Sequence, residues 1–520
     1  MPFNYNDPRN FEADLTRRRL PMHPTLYLIH TRRFLRELGA EKGKRVATFD
    51  DVDDETLDRW EADGFDWVWM MGAWQTGAAG RKVSLTNPVW REGYRAALPD
   101  VVDADVCGSP FAVQSYRIHE DFGGNESWLR FRKRLADRGI RAMLDFVPNH
   151  TAIDHPWLVE HPEFYVSGTE QDLAAEPQNY LRIATPQSLG IFAHGRDPYF
   201  PGWADTLQLN YRHAGLREAM IGELLHLADL CDGVRCDMAM LVLPQVFRRT
   251  WGDRSLPTDG STAVDSPFWP EAVSRTHSKR PDFVFLSEVY WDLEATLQQQ
   301  GFDYTYDKSY YERLCSGDAA AVRKHLQADA EYQRRSCRFL ENHDEARAAA
   351  ILEPARHQAA ALLAATVPGM RLFHEGQFDG RRLRMNVHLS RRAEESGDPV
   401  LRDFYARLIN CLRRRECRDG TWRLFDVRPT WAENHTWRNF VAYEWLGADG
   451  RRSWVCVNFG PTQAQCFVNI GDSLPGGRLY HLRDELGRAW YEREGDELVS
   501  RGLFLDMPAW SYHWFDVSPA

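Results

Sequence analysis

The chain has 520 residues, 43% of them hydrophobic and 27% charged, an ordinary globular balance at a length that predicts two or three domains. Its formal net charge of −11 excludes binding to a polyanion through bulk charge, so no nucleic-acid partner is expected. Apolar runs such as residues 359–367 are too short to span a bilayer, so no membrane partner is expected either.

In chain order, residues 1–60 read as a charged, mostly helical segment leading into the first domain, with the basic run Arg17-Arg18-Arg19 as a solvated face. The polar start, residues 1–10, lacks an apolar signal core, which predicts a cytoplasmic location. Residues 65–71 form a nearly continuous apolar run of the kind that marks a strand buried on both faces. Further strands are predicted at 111–116, 141–147, 233–237, 283–289, 302–306, 337–340 and 370–373. Helices are predicted at 128–138, 216–230, 309–326, 355–365 and 401–415. Eight strands with mostly helical connections predict an α/β fold, a closed (β/α)8 barrel over 61–148 and 206–420. Residues 149–205 are too long for an idle loop and rich in Pro, Gly, Asp and aromatics. They predict a small subdomain inserted after the third strand. Beyond residue 420 the helices give way to short alternating strands at 440–445, 454–458, 466–470 and 502–507, which predict an antiparallel β domain, a sandwich, over 421–520. Nine cysteines, an odd number without CxxC pairs, fit reduced and largely buried thiols. Nineteen tryptophans supply flat faces for core packing or for hydroxyl-rich ligands.

Four predicted strands end in acids. The third closes on Asp145-Phe146-Val147-Pro148-Asn149-His150 and the fourth on Gly233-Val234-Arg235-Cys236-Asp237. The fifth closes on Glu288 and the seventh on Phe339-Leu340-Glu341-Asn342-His343-Asp344. In a strand, Arg235 and Asp237 project to one face, so the cation favours the ionised carboxylate. A structural ion pair at a strand end explains that stretch equally well. The set of four says more, because in a (β/α)8 barrel the C-terminal strand ends converge on one site. Two carboxyls flanking a bond, one ionised and one held protonated, are the machinery of glycoside hydrolysis. Asp237 beside Arg235 suits the ionised role; Glu288, flanked by Leu286, Val289 and Tyr290, suits the protonated one. A metal-dependent barrel hydrolase would want an HxH or a His-rich set at the strand ends, whereas the histidines here follow Asn149 and Asn342.

These four stretches, in their order and their positions on the strands, resemble the signature regions of the α-amylase superfamily, glycoside hydrolase family 13. The resemblance implies that Asp237 is the nucleophile, Glu288 the general acid/base and Asp344 a third carboxylate that stabilises the transition state. It implies that Arg235 orients Asp237, that His150 and His343 bind hydroxyls of the reacting sugar, and that Asp145 supports that subsite. In 109–116 it points to Phe111 as the aromatic beneath the sugar, and in 206–210 to a fifth signature region. His374 and Glu375 after the eighth strand reach the mouth or merely face solvent. Asn149 matches a calcium ligand of many relatives, but no DxDxDG-like loop or acidic partner accompanies it, so no metal or other cofactor is expected. Met240-Leu241 stands where endo-acting relatives often carry Lys-His. The implied activity is that of a retaining α-glycosidase on α-glucosides or short α-glucans, through a covalent glycosyl-enzyme. A transglycosylase of the same superfamily is the alternative. A non-catalytic carbohydrate-binding homologue is a third reading, disfavoured by the presence of all three acids.

Overall fold

The computed structural model describes residues 20–184 and 189–520. Arg17-Arg18-Arg19 and the polar start of the chain lie outside the described residues. Eight parallel strands close a barrel: β1 (Thr25–His30), β2 (Trp67–Met71), β3 (Arg141–Phe146), β4 (Gly233–Cys236), β5 (Val284–Ser287), β6 (Tyr304–Tyr306), β7 (Ser336–Arg338) and β8 (Met370–His374), with β8 returning to β1. Strand β2, Trp-Val-Trp-Met-Met, is buried at all five positions, because one face meets the barrel interior and the other the surrounding helices. In register, Arg235 on β4 lies opposite Asp145 on β3 and Leu286 on β5.

Three sequence-based expectations are corrected. The segment read as a helical lead-in contains the first barrel strand, Thr25–His30, packed between β8 and β2. Its short Leu-Tyr-Leu-Ile run sits directly before the helix Thr31–Glu41, so helical periodicity swamped it. The stretch 111–116 is no barrel strand. Residues Val113–Ile118 pair antiparallel with Trp74–Thr76 in a ribbon on the barrel's rim, and exposed Arg117 breaks the two-sided burial that a barrel strand needs. The helix expected over 309–326 is split into Lys308–Ser316 and Ala319–Leu326. Gly317 ends the first in the left-handed region, φ 76°, and Asp318 caps the second through Ala320 and Ala321 N–H.

The insertion is pinched at its neck, where His150–Ala152 pairs antiparallel with Thr206–Gln208. A hairpin of Tyr180–Ala184 and Leu189–Ala193 forms part of its body. From Thr421 onward a six-stranded and a three-stranded antiparallel sheet share a separate core that includes Phe440, Trp454 and Phe515. Among the described residues no helix is long and apolar enough to cross a membrane.

Candidate active site

The C-terminal ends of the barrel strands open into a cavity of about 1240 Å³. Asp237, Glu288 and Asp344 line it together with Phe111 and His150. Beneath this floor lies Arg235, fully buried on β4. Its Nη1 donates to Asp237 Oδ1 at 2.5 Å and its Nη2 reaches Glu288 Oε2 at 2.7 Å. One guanidinium therefore spans two carboxyls from neighbouring strands. It is packed against the rings of Trp69, Phe111 and Tyr306, at 5.2, 5.4 and 5.6 Å from their centroids, which fixes its plane and excludes water from it.

Glu288 is held from three sides. Its Oε2 also accepts from Met238 N–H at 2.7 Å, and its Oε1 accepts from the Tyr290 hydroxyl at 2.7 Å. Met238 adopts a left-handed backbone, φ 42°, an unfavourable state for a side-chain-bearing residue that turns its N–H toward the acid. Burial raises Glu288 to about 7 against the pull of Arg235, with the nearby Asp237 and Asp344 adding to the rise. Asp237 departs from expectation. Burial of its carboxyl, helped by Asp344 and Asp145, outweighs the Arg235 ion pair, and the group lies above the ordinary Asp value. Sequence spacing reveals the cation but not how dry its surroundings are.

Asp344 is the most open of the three, its side chain 40% exposed. An Asn342 side chain accepting from Asp344 and Glu345 N–H lifts it above the floor. His343 lies sealed below, its Nε2 3.0 Å from Asp344 Oδ2 and its ring against Trp69 and Phe111. Asp145 does not line the cavity. It accepts from Trp69 Nε1 at 3.0 Å and Gly72 N–H at 2.7 Å, which ties β3 to the end of β2. His150 faces the cavity beside Trp203, ring centroids 5.0 Å apart, and burial lowers it to about 3, so it is a neutral imidazole. His374 and Glu375 are buried among Arg347 and Arg392 and stay out of the cavity. Met240 and Leu241 are core residues.

Several cavity residues went unread in the sequence. Tyr290, expected only as a flank of Glu288, brings its hydroxyl to that acid. Trp90, Trp203, Asp205, Lys308, Arg384 and His388 also line the cavity, but they come from separate excursions and share no local pattern.

The Asn149 position implied for calcium does not fit a metal. Gln208 Nε2 donates to Asn149 O, Asn149 Oδ1 and Leu209 O at 2.9, 3.0 and 3.0 Å, so an amide already occupies the point where three oxygens converge. Among the described residues, no group of three or more His, Cys, Asp or Glu side chains is arranged to hold an ion.

A closed (β/α)8 barrel carrying three acids at its C-terminal mouth, an inserted subdomain and a trailing β domain defines the class of protein. Residues 111–397 match the model of the alpha amylase catalytic domain, and the chain belongs to that family. It is 27% identical over 308 residues to the alpha-amylase MalA of Haloarcula japonica, covering 57% of this chain and 39% of that protein. It is 24% identical over 273 residues to an alpha-1,4-glucan:maltose-1-phosphate maltosyltransferase of Burkholderia pseudomallei, 51% of this chain and 19% of the relative. The trehalose synthase/amylase TreS of Mycolicibacterium smegmatis matches at 26% over 166 residues, 29% and 27% of the two chains. The chain thus spans at most about two fifths of the length of these relatives. Among solved structures, the noncanonic maltogenic alpha-amylase AmyB of Thermotoga neapolitana superposes with a TM-score of 0.67 at 18% identity, covering 96% of this chain and 99% of that one. An alpha-amylase from Lactobacillus plantarum gives 0.63 at 20%, covering 95% and 98%.

Proposed function

We propose that the chain is a retaining α-glycosidase acting on α-glucosides or short α-glucans. The observation that carries this reading is the single buried guanidinium spanning Asp237 and Glu288. That span favours the close carboxyl pair of a covalent mechanism, about 5–5.5 Å, over the wider pair that leaves room for a water. Arg235 occupies Oδ1 of Asp237 and leaves Oδ2 to attack the anomeric carbon. Glu288, with Oε2 committed to Met238 N–H and Arg235, carries its proton on Oε1 and passes it to the departing glycosidic oxygen. The bond from carbon to the leaving oxygen breaks as the bond to Asp237 forms. In the second half, Glu288 takes a proton from the attacking hydroxyl and the Asp237 ester bond breaks. Asp344 and His150, in the cavity wall, bind hydroxyls of the reacting sugar, and Phe111 packs beneath it. His343 acts through Asp344, and Asp145 supports the floor.

An uncharged substrate suits this cavity, which nine carboxyl groups line against the cations Lys308 and Arg384; the same charge disfavours a nucleic-acid partner. The nine free cysteines support a reducing, cytoplasmic location. With Gln208 in place of an ion, the reading needs no metal or other cofactor.

A second reading, transfer to a sugar acceptor, is favoured by one feature. Trp291 and Phe200 line the cavity and, with Tyr199, expose 38–67% of their surface on the side of the acid, where an acceptor ring can stack. The test of the main reading is trapping. A 2-fluoro-α-glycosyl fluoride slows the second step, and mass spectrometry of the digest should find the sugar on the peptide containing Cys236-Asp237-Met238. An adduct on another acid reassigns the nucleophile; a wild-type protein that binds sugars with no turnover favours the binding-module reading.

A further inference from the structure

The loop that follows the general acid holds groups the catalytic reading leaves unused. Trp291, Asp292 and Glu294 come directly after β5, and all three line the cavity. Trp291 and Asp292 both adopt a left-handed backbone, φ 65° and 58°. Two such residues in succession are unfavourable, and strain of this kind collects at ligand-binding loops. Trp291 is 38% exposed and meets the ring of Tyr199, from the insertion, edge-on at 5.1 Å. The Arg249 guanidinium lies 5.1 Å from the Tyr199 centroid, whereas no cation covers Trp291 among the described residues.

Glu294 is the sharper observation. It is 4% exposed, yet among the described residues no side chain donates to it and no cation pairs with it. Burial, with Asp307 and Asp292 adding, pushes it up to about 7 against the pull of Arg313, the response of a carboxyl that lacks a close positive partner. Asp292, exposed on the same wall, is likewise unpaired among the described residues. Neighbouring Glu345 and Glu312 are not: Lys308 Nζ bonds Glu345 and stands 3.8 Å from Glu312. A buried carboxyl without a donor persists where a ligand supplies one.

The place of this group gives it a side. Glu288 protonates the departing oxygen from the end of β5, so the aglycone, or the acceptor that replaces it, lies against the loop after β5. The sugar held on Asp237 is uncharged; a charge complementary to Asp292 and Glu294 comes with its partner. A metal ion needs converging donors, and among the described residues no three His, Cys, Asp or Glu side chains supply them. Two separate carboxyls beside an exposed indole suit an organic ammonium, which offers N–H donors in several directions and a charge to the ring face.

Building on the proposed glycosidase reading, we infer that Trp291, Asp292 and Glu294 form a site for a protonated amine on the leaving-group side, so that the enzyme favours aglycones and acceptors carrying a basic amino group. The ammonium stays outside the bond changes. An acceptor hydroxyl takes the place of water: its oxygen bonds the anomeric carbon as the Asp237 ester bond breaks, and its proton goes to Glu288.

Two measurements test this. The first is titration calorimetry on the wild-type protein at neutral pH, with 2-aminoethyl β-glucoside and its uncharged counterpart 2-hydroxyethyl β-glucoside as probes. The amine should bind about tenfold tighter or better. Glu294→Gln and Asp292→Asn should each cut that ratio by about threefold or more, and the exposed Asp292 keeps the test open if Glu294→Gln does not fold. Equal affinities in the wild type, or a ratio that neither substitution changes, overturns the inference. The second measures transfer from α-glucosyl fluoride to the same two acceptors, with products counted by mass spectrometry. The amine-bearing product should form about tenfold faster at equal acceptor concentration, and the preference should shrink in both variants. A wild type that prefers the neutral acceptor overturns the inference. If the fluoride donor is not turned over while the calorimetric preference holds, the glycosidase reading fails and the amine site stands.

Discussion

Replacing Glu288 by Gln isolates the acid. The residue is 3% exposed, and burial lifts it from 4.5 to about 7. At about 1.4 kcal/mol per pKa unit, that rise corresponds to roughly 3 kcal/mol in favour of the protonated form, an order-of-magnitude figure. At neutral pH about half of the wild-type enzyme then carries the proton the leaving group needs. Its alkaline limb in kcat/KM should fall near pH 7, with the acid limb set by ionisation of Asp237. Gln preserves the size and offers an amide but has no proton to give. On a substrate with a poor leaving group, such as a maltooligosaccharide, activity should drop by about 10²–10⁴-fold, and the limb near pH 7 should vanish. An α-glycosyl fluoride needs no protonation to depart, so its glycosylation step should fall by about tenfold or less. The assay is stopped-flow fluoride release beside reducing-sugar formation across pH 5–9. Equal loss on both substrates, or a surviving limb near pH 7, refutes Glu288 as the acid.

Tyr290→Phe removes the hydroxyl that donates to Glu288 Oε1; the carboxylate loses a stabilising hydrogen bond, so the alkaline limb should move upward by up to about one pH unit, read from the same profiles. Asp205 is raised from 3.8 to about 7 by burial, so the folded state binds a proton more tightly than the unfolded state does. Its presence costs nothing below about pH 4 and up to about 4 kcal/mol above pH 7; Asp205→Asn should raise Tm relative to wild type at pH 8 and do little at pH 4, in paired calorimetric scans. Asp145→Ala strips the acceptor from Trp69 Nε1 and Gly72 N–H and should destabilise the barrel by about 2–5 kcal/mol in urea unfolding. Because Gln208 fills the three-oxygen point beside Asn149, EDTA followed by excess Ca²⁺ should leave Tm and activity unmoved; a rise of several degrees with Ca²⁺ refutes that assignment.

The barrel and its acids were legible because both depend on local pattern. Apolar runs that end in Asp or Glu report a strand and the end of it that meets the pocket, and the alternation of side chains puts Arg235 and Asp237 on one face whatever surrounds them. Strand β1 was not legible, since six residues next to a strong helix carry too little periodicity to stand out, and their pairing with β8 joins residues more than three hundred positions apart. The ribbon at Val113–Ile118 failed for the complementary reason: an apolar stretch has the same local appearance at the rim as in the barrel. Charge states needed the tertiary structure too. Sequence places a cation beside Asp237, but the removal of water by Trp69, Phe111 and Tyr306, and the approach of Asp344, set the direction in which that carboxyl moves. The grouping of Trp90, Asp205 and His388 belongs wholly to the fold, because three excursions separated by more than a hundred residues meet only where the strand ends bring their loops together. Sequence by itself determined which acids stand at the strand ends; the closed barrel decided which of them face one another across dry space, and how far their protons are shifted.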